Sequence, residues 1–467
     1  MNKNLFYHIC IWLLTVLTAF FLISSAVYLW RKFPQQGGPL FTVLGLAAAL
    51  GLWFWSRNSK GAVLPKSVWP VIAAAFVLRL LWAFFVQVPP ASDYQYYYEI
   101  AAAFAQGAPL PHQEYIALFP HAMGYPYILS LIFRIFGVKT LYAALFNVVL
   151  STGTVWLAYL AARNFSDHKT AITCSILLAV MPNMIALVSL VSAETLYCFL
   201  ISAFLFFFSW MVKRKQFRWY DFALLGLCCA AANFIRPVTV LVVLAVIFYC
   251  VCFCKKNLRK QNLIACTVLA VAFFVGLQVL HLESRQLTGL NIAQEYSGYN
   301  LFVGMNPASG GAWNQADYDL AFDLARQTSP QQAQSSLKKE AFQRAFKDPL
   351  ATLRLIVKKQ ATIWGEDGYG FWWNRICLKG GDSQAQDGYL YQLEAVSNAF
   401  YLLLLAGAVF GLLGLAREKS FSPMIFLVLL ILAGIAAFSF VEAQSRYRFF
   451  LMPAYTALSA YGLLAKK

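Results

Sequence analysis

The sequence predicts an all-α polytopic membrane protein, and three observations lead there. Of its 467 residues 60% are apolar and 12% charged, against roughly 25% charged in an ordinary soluble domain. Apolar runs long enough to span a bilayer recur along the whole chain. The net charge of +17, from 37 Lys and Arg against 20 Asp and Glu, collects in alternate short loops. A soluble enzyme is excluded, and so is intrinsic disorder, which needs low hydrophobicity.

The runs fall at 5–29, 39–55, 68–87, 140–161, 170–190, 195–212, 221–235, 237–253, 263–281, 395–416, 421–441 and 449–464, about twelve transmembrane helices. With the N-terminus in the cytoplasm, one parity gathers most of the basic loops inside. These hold Arg57, Lys60 and Lys66; Arg163 and Lys169; Lys213, Arg214, Lys215 and Arg218; Lys255, Lys256, Arg259 and Lys260; Arg417 and Lys419; and Lys466 and Lys467. Arg31 and Lys32 dissent, because they fall outside. The stretch 122–137 is apolar but short and interrupted by Gly124, Pro126 and Arg134, so it reads as a juxtamembrane or re-entrant helix. Together with Lys3, the inner loops hold 18 basic residues against Asp167, Asp221 and Glu418, which is +15 and leaves +2 for the rest. The basic balance is thus an orientation signal, and no nucleic-acid partner is implied.

Polar chemistry is left two outer segments, 87–139 and 282–394. The second, 113 residues long, exceeds any simple connector. Ser329-Pro330 and Asp348-Pro349 are helix-start signals within it. The later helix sets Leu350, Leu353, Ile356 and Val357 against Arg354, Lys358 and Lys359, a pattern suited to the membrane interface, and Trp364, Tyr369, Trp372 and Trp373 follow as an aromatic belt would. The boundaries read as a two-helix membrane extension (1–67), a membrane core (68–281) containing the outer loop 87–139, an extracytoplasmic region with the interfacial helix (282–394) and C-terminal transmembrane helices (395–467). The first run exceeds a signal-peptide core and more spans follow at once, which favours an uncleaved anchor. Nine of ten Cys (Cys10, Cys174, Cys198, Cys228, Cys229, Cys250, Cys252, Cys254 and Cys266) lie in or beside runs and only Cys377 in an outer loop, so no intramolecular extracytoplasmic disulfide is expected.

Candidate chemistry sits at run ends. Asp93 opens a Tyr-rich helix through Tyr94 to Glu99; burial beside a membrane would suit it to accept a proton, and the plain alternative is a helix cap. Glu194, in Ser192-Ala193-Glu194, lies at another run edge, where acids are either functional or solvated. Arg236 precedes Pro237 at a tight turn, and Arg446 and Arg448 lie in Glu442-Ala443-Gln444-Ser445-Arg446-Tyr447-Arg448. Outer arginines oppose the positive-inside trend. A phosphate or diphosphate is a natural partner for a guanidinium, and snorkelling to headgroups is the alternative. Arg79, inside the third run, calls for a carboxylate or lipid-phosphate partner. The five His are scattered, with no metal-binding pair, and no nucleotide-binding glycine pattern is present.

These pieces resemble the GT-C superfamily of membrane glycosyltransferases, in the branch of protein O-mannosyltransferases and lipid A aminoarabinose transferases (glycosyltransferase family 39-like). The resemblance rests on Ser92-Asp93 with its Tyr-rich helix; Phe119-Pro120 through Gly124-Tyr125-Pro126 to Phe136-Gly137; Ser192-Ala193-Glu194; Ile235-Arg236-Pro237; and Arg446-Tyr447-Arg448 with Pro453, across residues 68–460. The stretch Gly298-Tyr299-Asn300 to Trp313-Asn314 looks like an outer-loop segment of bacterial members.

The resemblance implies the GT-C fold and inverting transfer of a sugar from a polyprenyl-phosphate donor to an extracytoplasmic acceptor, whether protein, glycolipid or cell-envelope polysaccharide. It makes Asp93 the base, Glu194 a positioning acid, and Arg236, Arg446 and Arg448 the binders of the donor phosphate, with Tyr94, Glu99, His121 and Tyr125 as pocket candidates. No cofactor or metal is implied. Many relatives carry adjacent acids at the first-loop site, whereas Tyr94 follows Asp93 here, with Glu99 the nearest substitute. A polysaccharide polymerase or ligase with a diphosphate-linked donor is the enzymatic alternative. A secondary transporter or flippase is the other, although no duplicated halves are visible. The expected place is the cell membrane, with both termini cytoplasmic.

Overall fold

All twelve apolar runs form helix in the computed structural model, which describes residues 3–35, 37–58, 65–214, 217–253, 259–293, 297–378, 388–418 and 421–464. Lys60, Lys215, Cys254, Lys255, Lys256, Lys419, Lys466 and Lys467 lie outside the described residues. The first helices are α1 (Lys3–Lys32), α2 (Gly38–Asn58), α3 (Trp69–Phe85), α4 (Asp93–Gln106), α5 (Gln113–Leu118), α6 (Gly124–Phe136) and α7 (Thr140–Phe165). There follow α8 (His168–Ala179), α9 (Pro182–Ala186), α10 (Ala193–Arg214), α11 (Trp219–Ile235), α12 (Val240–Phe253) and α13 (Arg259–Thr288). The long polar segment contributes α14 (Ser297–Gly304), α15 (Gln315–Gln327), α16 (Pro330–Lys347), α17 (Pro349–Gly365) and α18 (Tyr369–Leu378). After it come α19 (Tyr389–Arg417), α20 (Ile425–Phe438) and α21 (Met452–Leu464). The described residues contain no strand.

Five helices (α1, α7, α10, α13 and α19) are long and apolar enough to cross a membrane by themselves, six if the bent pair at α8–α9 counts as one span. The chain is a multi-pass membrane protein on this basis, and the count of twelve remains an expectation. Helices α7, α10 and α19 form the interior, with 61% of their apolar windows buried, whereas α13 buries 22% and lies at the rim. Helix α6, at 13 residues, rises only about 20 Å, less than the roughly 30 Å hydrocarbon layer. That length suits the juxtamembrane reading.

The run 170–190 is not one straight helix. It bends by 53° between α8 and Pro182, where proline cannot continue the ladder. Arg79 of α3 satisfies the carbonyls released there: Nη2 donates to Leu178 O at 3.0 Å and Nη1 to Ala179 O at 2.9 Å, while Nε donates to Ser151 Oγ at 2.7 Å. Arg79 therefore closes a broken span, with backbone carbonyls and the Ser151 hydroxyl as its partners.

Small residues set a close contact between two helices. A Cβ on Gly411 would stand 2.1 Å from Leu458 O, and one on Gly462 2.1 Å from Gly407 O, so α19 and α21 meet backbone to backbone through Gly407-x-x-x-Gly411. Helix α1 packs on α19 and α17. Phe21 stacks on Trp364 with ring centres 4.9 Å apart, and Lys32 pairs with the buried Glu394, which Arg375 approaches at 3.4 Å. Of the two charges that dissented from the positive-inside pattern, Lys32 thus has a buried carboxylate to hold it. Two expectations about the long polar segment are corrected. Trp364 is fully buried and Tyr369 is buried too, so these two rings are core and not a belt, whereas Trp372 and Trp373 are partly buried. Leu350, Leu353 and Val357 do face outward, but Lys359 is fully buried: its Nζ donates to Gly304 O at 2.8 Å and Ser439 O at 2.9 Å. Ser329 and Asp348 cap α16 and α17 as predicted.

Candidate active site

Four helix ends converge on one cavity of about 500 Å³. Asp93 is the first residue of α4 and does not cap it; Ser92 holds the cap position without a side-chain bond, at φ +54° and ψ −134°. A non-glycine residue there stores strain that the surroundings must sustain. The effect is to leave the Asp93 carboxylate free to turn into the cavity, where its side chain is 33% exposed. Glu194 lies in the first turn of α10, where a carboxylate meets the positive end of the helix. Arg236 is the extended residue ending α11, and Pro237 forces the chain to turn after it. Arg446 lies on a 3-10 helix, Ser445–Leu451, that precedes α21.

The four charges alternate. Arg446 Nη2 donates to Asp93 Oδ2 at 3.1 Å, Arg446 Nε lies 3.8 Å from Glu194 Oε1, and Arg236 bonds the same Glu194 oxygen. Tyr369 and Tyr447 place ring centres 5.8 and 5.6 Å from the Arg446 guanidinium, close enough for cation–π attraction. Among the described residues, Arg446 Nη1, Glu194 Oε2 and Tyr299 OH are buried without a hydrogen-bond partner, which is costly unless something binds there.

A fifth charge borders the cavity. Glu442 accepts from Tyr447 OH at 2.8 Å and from Gln444. Burial raises its carboxyl above the usual range and Arg446 opposes that rise. His121 is pushed down to about 3, first by burial and then by the charges of Arg236 and Arg446, so it is neutral at physiological pH. One wing of the cavity is apolar, lined by Val238, Val240, Leu241, Phe273, Phe274, Leu277 and Phe438. Val240 and Phe274 are themselves exposed on the bundle exterior, so this wing reaches the lipid-facing surface. The opposite wing holds Tyr115, Tyr299, Asn300, Trp313 and Tyr318. Gly304 seats this wing against the end of α20, where a Cβ would meet Phe440 O at 2.4 Å.

Of the residues singled out from sequence, Asp93, Glu194, Arg236, Arg446 and His121 line the cavity; four others lie outside its lining. Arg448 occupies the other face of its 3-10 helix, 1% exposed and paired with Asp367. Tyr94 turns away from Asp93, and its OH meets Tyr369 OH at 3.2 Å. Glu99 lies about 9 Å further along α4, bonded to Gln95 and His112, so it cannot replace an acid beside Asp93. Tyr125 packs behind Tyr97, ring centres 6.1 Å apart. Sequence reasoning did not single out Tyr97, Tyr115, Tyr318 or Glu442 as site residues. Tyr97 was findable, because positions four apart share a helix face and Tyr97 follows Asp93 by four.

Residues 120–279 match the family model described as Dolichyl-phosphate-mannose-protein mannosyltransferase. The resemblance read from the sequence is borne out there. The matched segment contains Glu194 and Arg236 but neither Asp93 nor Arg446. No curated protein matches the chain. Among solved structures, the chain is similar to the oligosaccharyltransferase AglB from Archaeoglobus fulgidus in complex with an inhibitory peptide and a dolichol-phosphate, at 14% identity and TM-score 0.48, over 84% of this chain and 50% of that one. It is also similar to ArnT from Cupriavidus metallidurans bound to undecaprenyl phosphate, at 15% identity and TM-score 0.37, over 85% and 77% of the two chains. The chain spans about half the length of the archaeal enzyme it matches. Among the described residues, no group of three or more His, Cys, Asp and Glu side chains is placed to hold a metal ion.

Proposed function

We propose that this protein is an inverting membrane glycosyltransferase that moves a sugar from a polyprenyl-phosphate carrier to an acceptor on the extracytoplasmic face. One observation carries the reading: two arginines and an acid base candidate meet where an apolar wing open to lipid joins an aromatic, polar wing. A lipid-linked phosphate has this mixed chemistry. Its tail suits Leu241, Phe273 and Phe438, and its phosphate suits Arg236 and the unpartnered Nη1 of Arg446. The sugar then lies toward Tyr115, Tyr299 and Trp313.

In the reaction, the acceptor hydroxyl or amine attacks the anomeric carbon from the face opposite the phosphate. Its proton passes to Asp93, the anomeric C–O bond breaks with its electron pair going to the phosphate oxygen, and the configuration inverts. The departing lipid phosphate gains one negative charge, which Arg236 and Arg446 stabilise where it develops. Glu194 orients both guanidinium groups. The reading calls on no metal, because the two arginines supply the positive charge.

The test is Asp93→Asn in the purified full chain, supplied with polyprenyl-phosphate sugars and candidate acceptors. Turnover should fall about 10²–10⁴-fold while the donor still binds; unchanged transfer removes Asp93 from the mechanism. In a deletion strain a monophosphate-linked sugar should accumulate, and a diphosphate-linked oligosaccharide in its place would favour the polymerase or ligase alternative.

A further inference from the structure

The 3-10 helix Ser445–Leu451 carries two arginines two positions apart, and only Arg446 reaches the cavity. With three residues per turn, side chains three apart eclipse, so Ser445 and Arg448 share a face that Arg446 does not. That face is fastened to the turn between α17 and α18. Ser445 Oγ donates to Glu366 Oε1 at 2.8 Å. Arg448 Nε donates to Ile363 O at 2.7 Å, and its Nη2 donates to Asp367 Oδ1 at 3.1 Å and to Glu366 O. The Arg448 guanidinium also lies 4.3 Å from the centre of the Tyr401 ring.

Asp367 is fixed in its turn. Asn183 Nδ2 donates to its Oδ1 at 3.1 Å, its backbone N–H donates to Asn398 Oδ1 at 2.8 Å, and Ser397 Oγ donates to its carbonyl. Arg448 and Asp367 are 1% and 2% exposed and neither lines the cavity. Apolar residues of the same volume would avoid the desolvation cost of a buried ion pair. What a forked guanidinium adds is direction.

We propose that Arg448 and Asp367 are positioning residues: their pair sets the roll of the Ser445–Leu451 helix and thereby aims Arg446 into the cavity. This rests on the reading of Arg446 as a ligand of the lipid phosphate. A roll of one residue, about 120°, would carry Arg446 out of reach of Asp93 and Glu194.

The experiment uses the full chain in detergent, with undecaprenyl phosphate alone as the probe and native mass spectrometry as the binding readout. Arg448→Met should weaken binding about tenfold to a hundredfold, and Arg448→Lys by less. The double variant Arg446→Met/Arg448→Met should bind no worse than Arg446→Met alone, because a residue that acts through Arg446 has nothing left to act on. Amide hydrogen exchange across residues 445–451 should quicken in Arg448→Met. Unchanged binding by Arg448→Met, an additive loss in the double variant, or unaltered exchange overturns the proposal. Should Arg448→Met fail to fold, Asp367→Asn, of the same size, is judged by the same criteria. If Arg446→Met binds the probe as tightly as the unaltered chain, it is the donor-site reading that fails, and the exchange measurement alone then decides whether the pair sets the roll.

Discussion

His121 shows how one cavity residue is specialised by its surroundings. A histidine beside two arginines is a candidate third cation, but burial and those charges bring it down to about 3 from its ordinary 6.5. The neutral imidazole can accept or donate a hydrogen bond and cannot grip phosphate by charge. A consequence for stability follows from linkage. The folded pKa lies below the unfolded one, so the contribution is fully present above pH 6.5 and is lost as pH falls from there toward 3, where the unfolded chain takes the proton first. His121→Gln should therefore give a shallower loss of stability between those pH values, read as thermal midpoints across a pH series. An equally steep acid limb would place the titration elsewhere.

Lys32 is the second residue whose position the charge pattern left unexplained. Its partner Glu394 is 1% exposed, with Arg375 as a more distant cation. Lys32→Met should cost about 1.5–3 kcal/mol, the value of a hydrogen bond to a charged group. The neighbouring Arg31, which is exposed, should tolerate the same change within about 0.5 kcal/mol. Equal effects at the two positions in thermal unfolding would show that the Lys32–Glu394 contact is not what fixes the end of α1.

Among the helices, the seam between α19 and α21 leaves little tolerance. Gly407, Gly411 and Gly462 leave no room for a side chain, since each added Cβ would fall within 2.2 Å of a neighbouring atom. Gly411→Leu should destabilise by about 3 kcal/mol or more, at the upper end of overpacking costs, whereas Gly51→Leu on α2, where nothing lies within 4 Å, should cost far less. Unfolding midpoints in detergent decide it. The pattern Gly407-x-x-x-Gly411 was open to reading from sequence. The break at α8–α9 was open only in part: Pro182 marks where the ladder stops, but the 53° bend and the donor that heals it, Arg79, arise from packing between elements far apart in the chain.

Across the whole molecule, hydropathy located the apolar helices well because it sums many small transfer energies, so each apolar run forms helix, one of them bent. The meeting of Asp93 and Arg446, 353 positions apart, was legible for a related reason. Charged groups at run ends of one parity must collect at one side of a bundle, where few places can hold them. Arg448 could have been told from Arg446, because residues two apart lie about 200° apart on an α-helix and about 240° apart on a 3-10 helix, so in either phase only one of the two faces the cavity. Trp364 was misjudged because an aromatic near a run end is equally consistent with interface and core. The aromatic wing depends on how α14 and α15 dock on α16 and α15 on α5, a matter of tertiary shape.

The apolar wing of the cavity has a kinetic consequence. Val240 and Phe274 carry it to the bundle's exterior, so on the proposed reaction a lipid-borne donor would arrive by diffusion in two dimensions and depart by the same route, while an acceptor would approach from water past the exposed Trp313. The two substrates then obey different concentration scales. In vesicles of fixed donor content, adding inert lipid should slow transfer by surface dilution, and diluting the whole suspension at constant acceptor should leave the rate per protein unchanged.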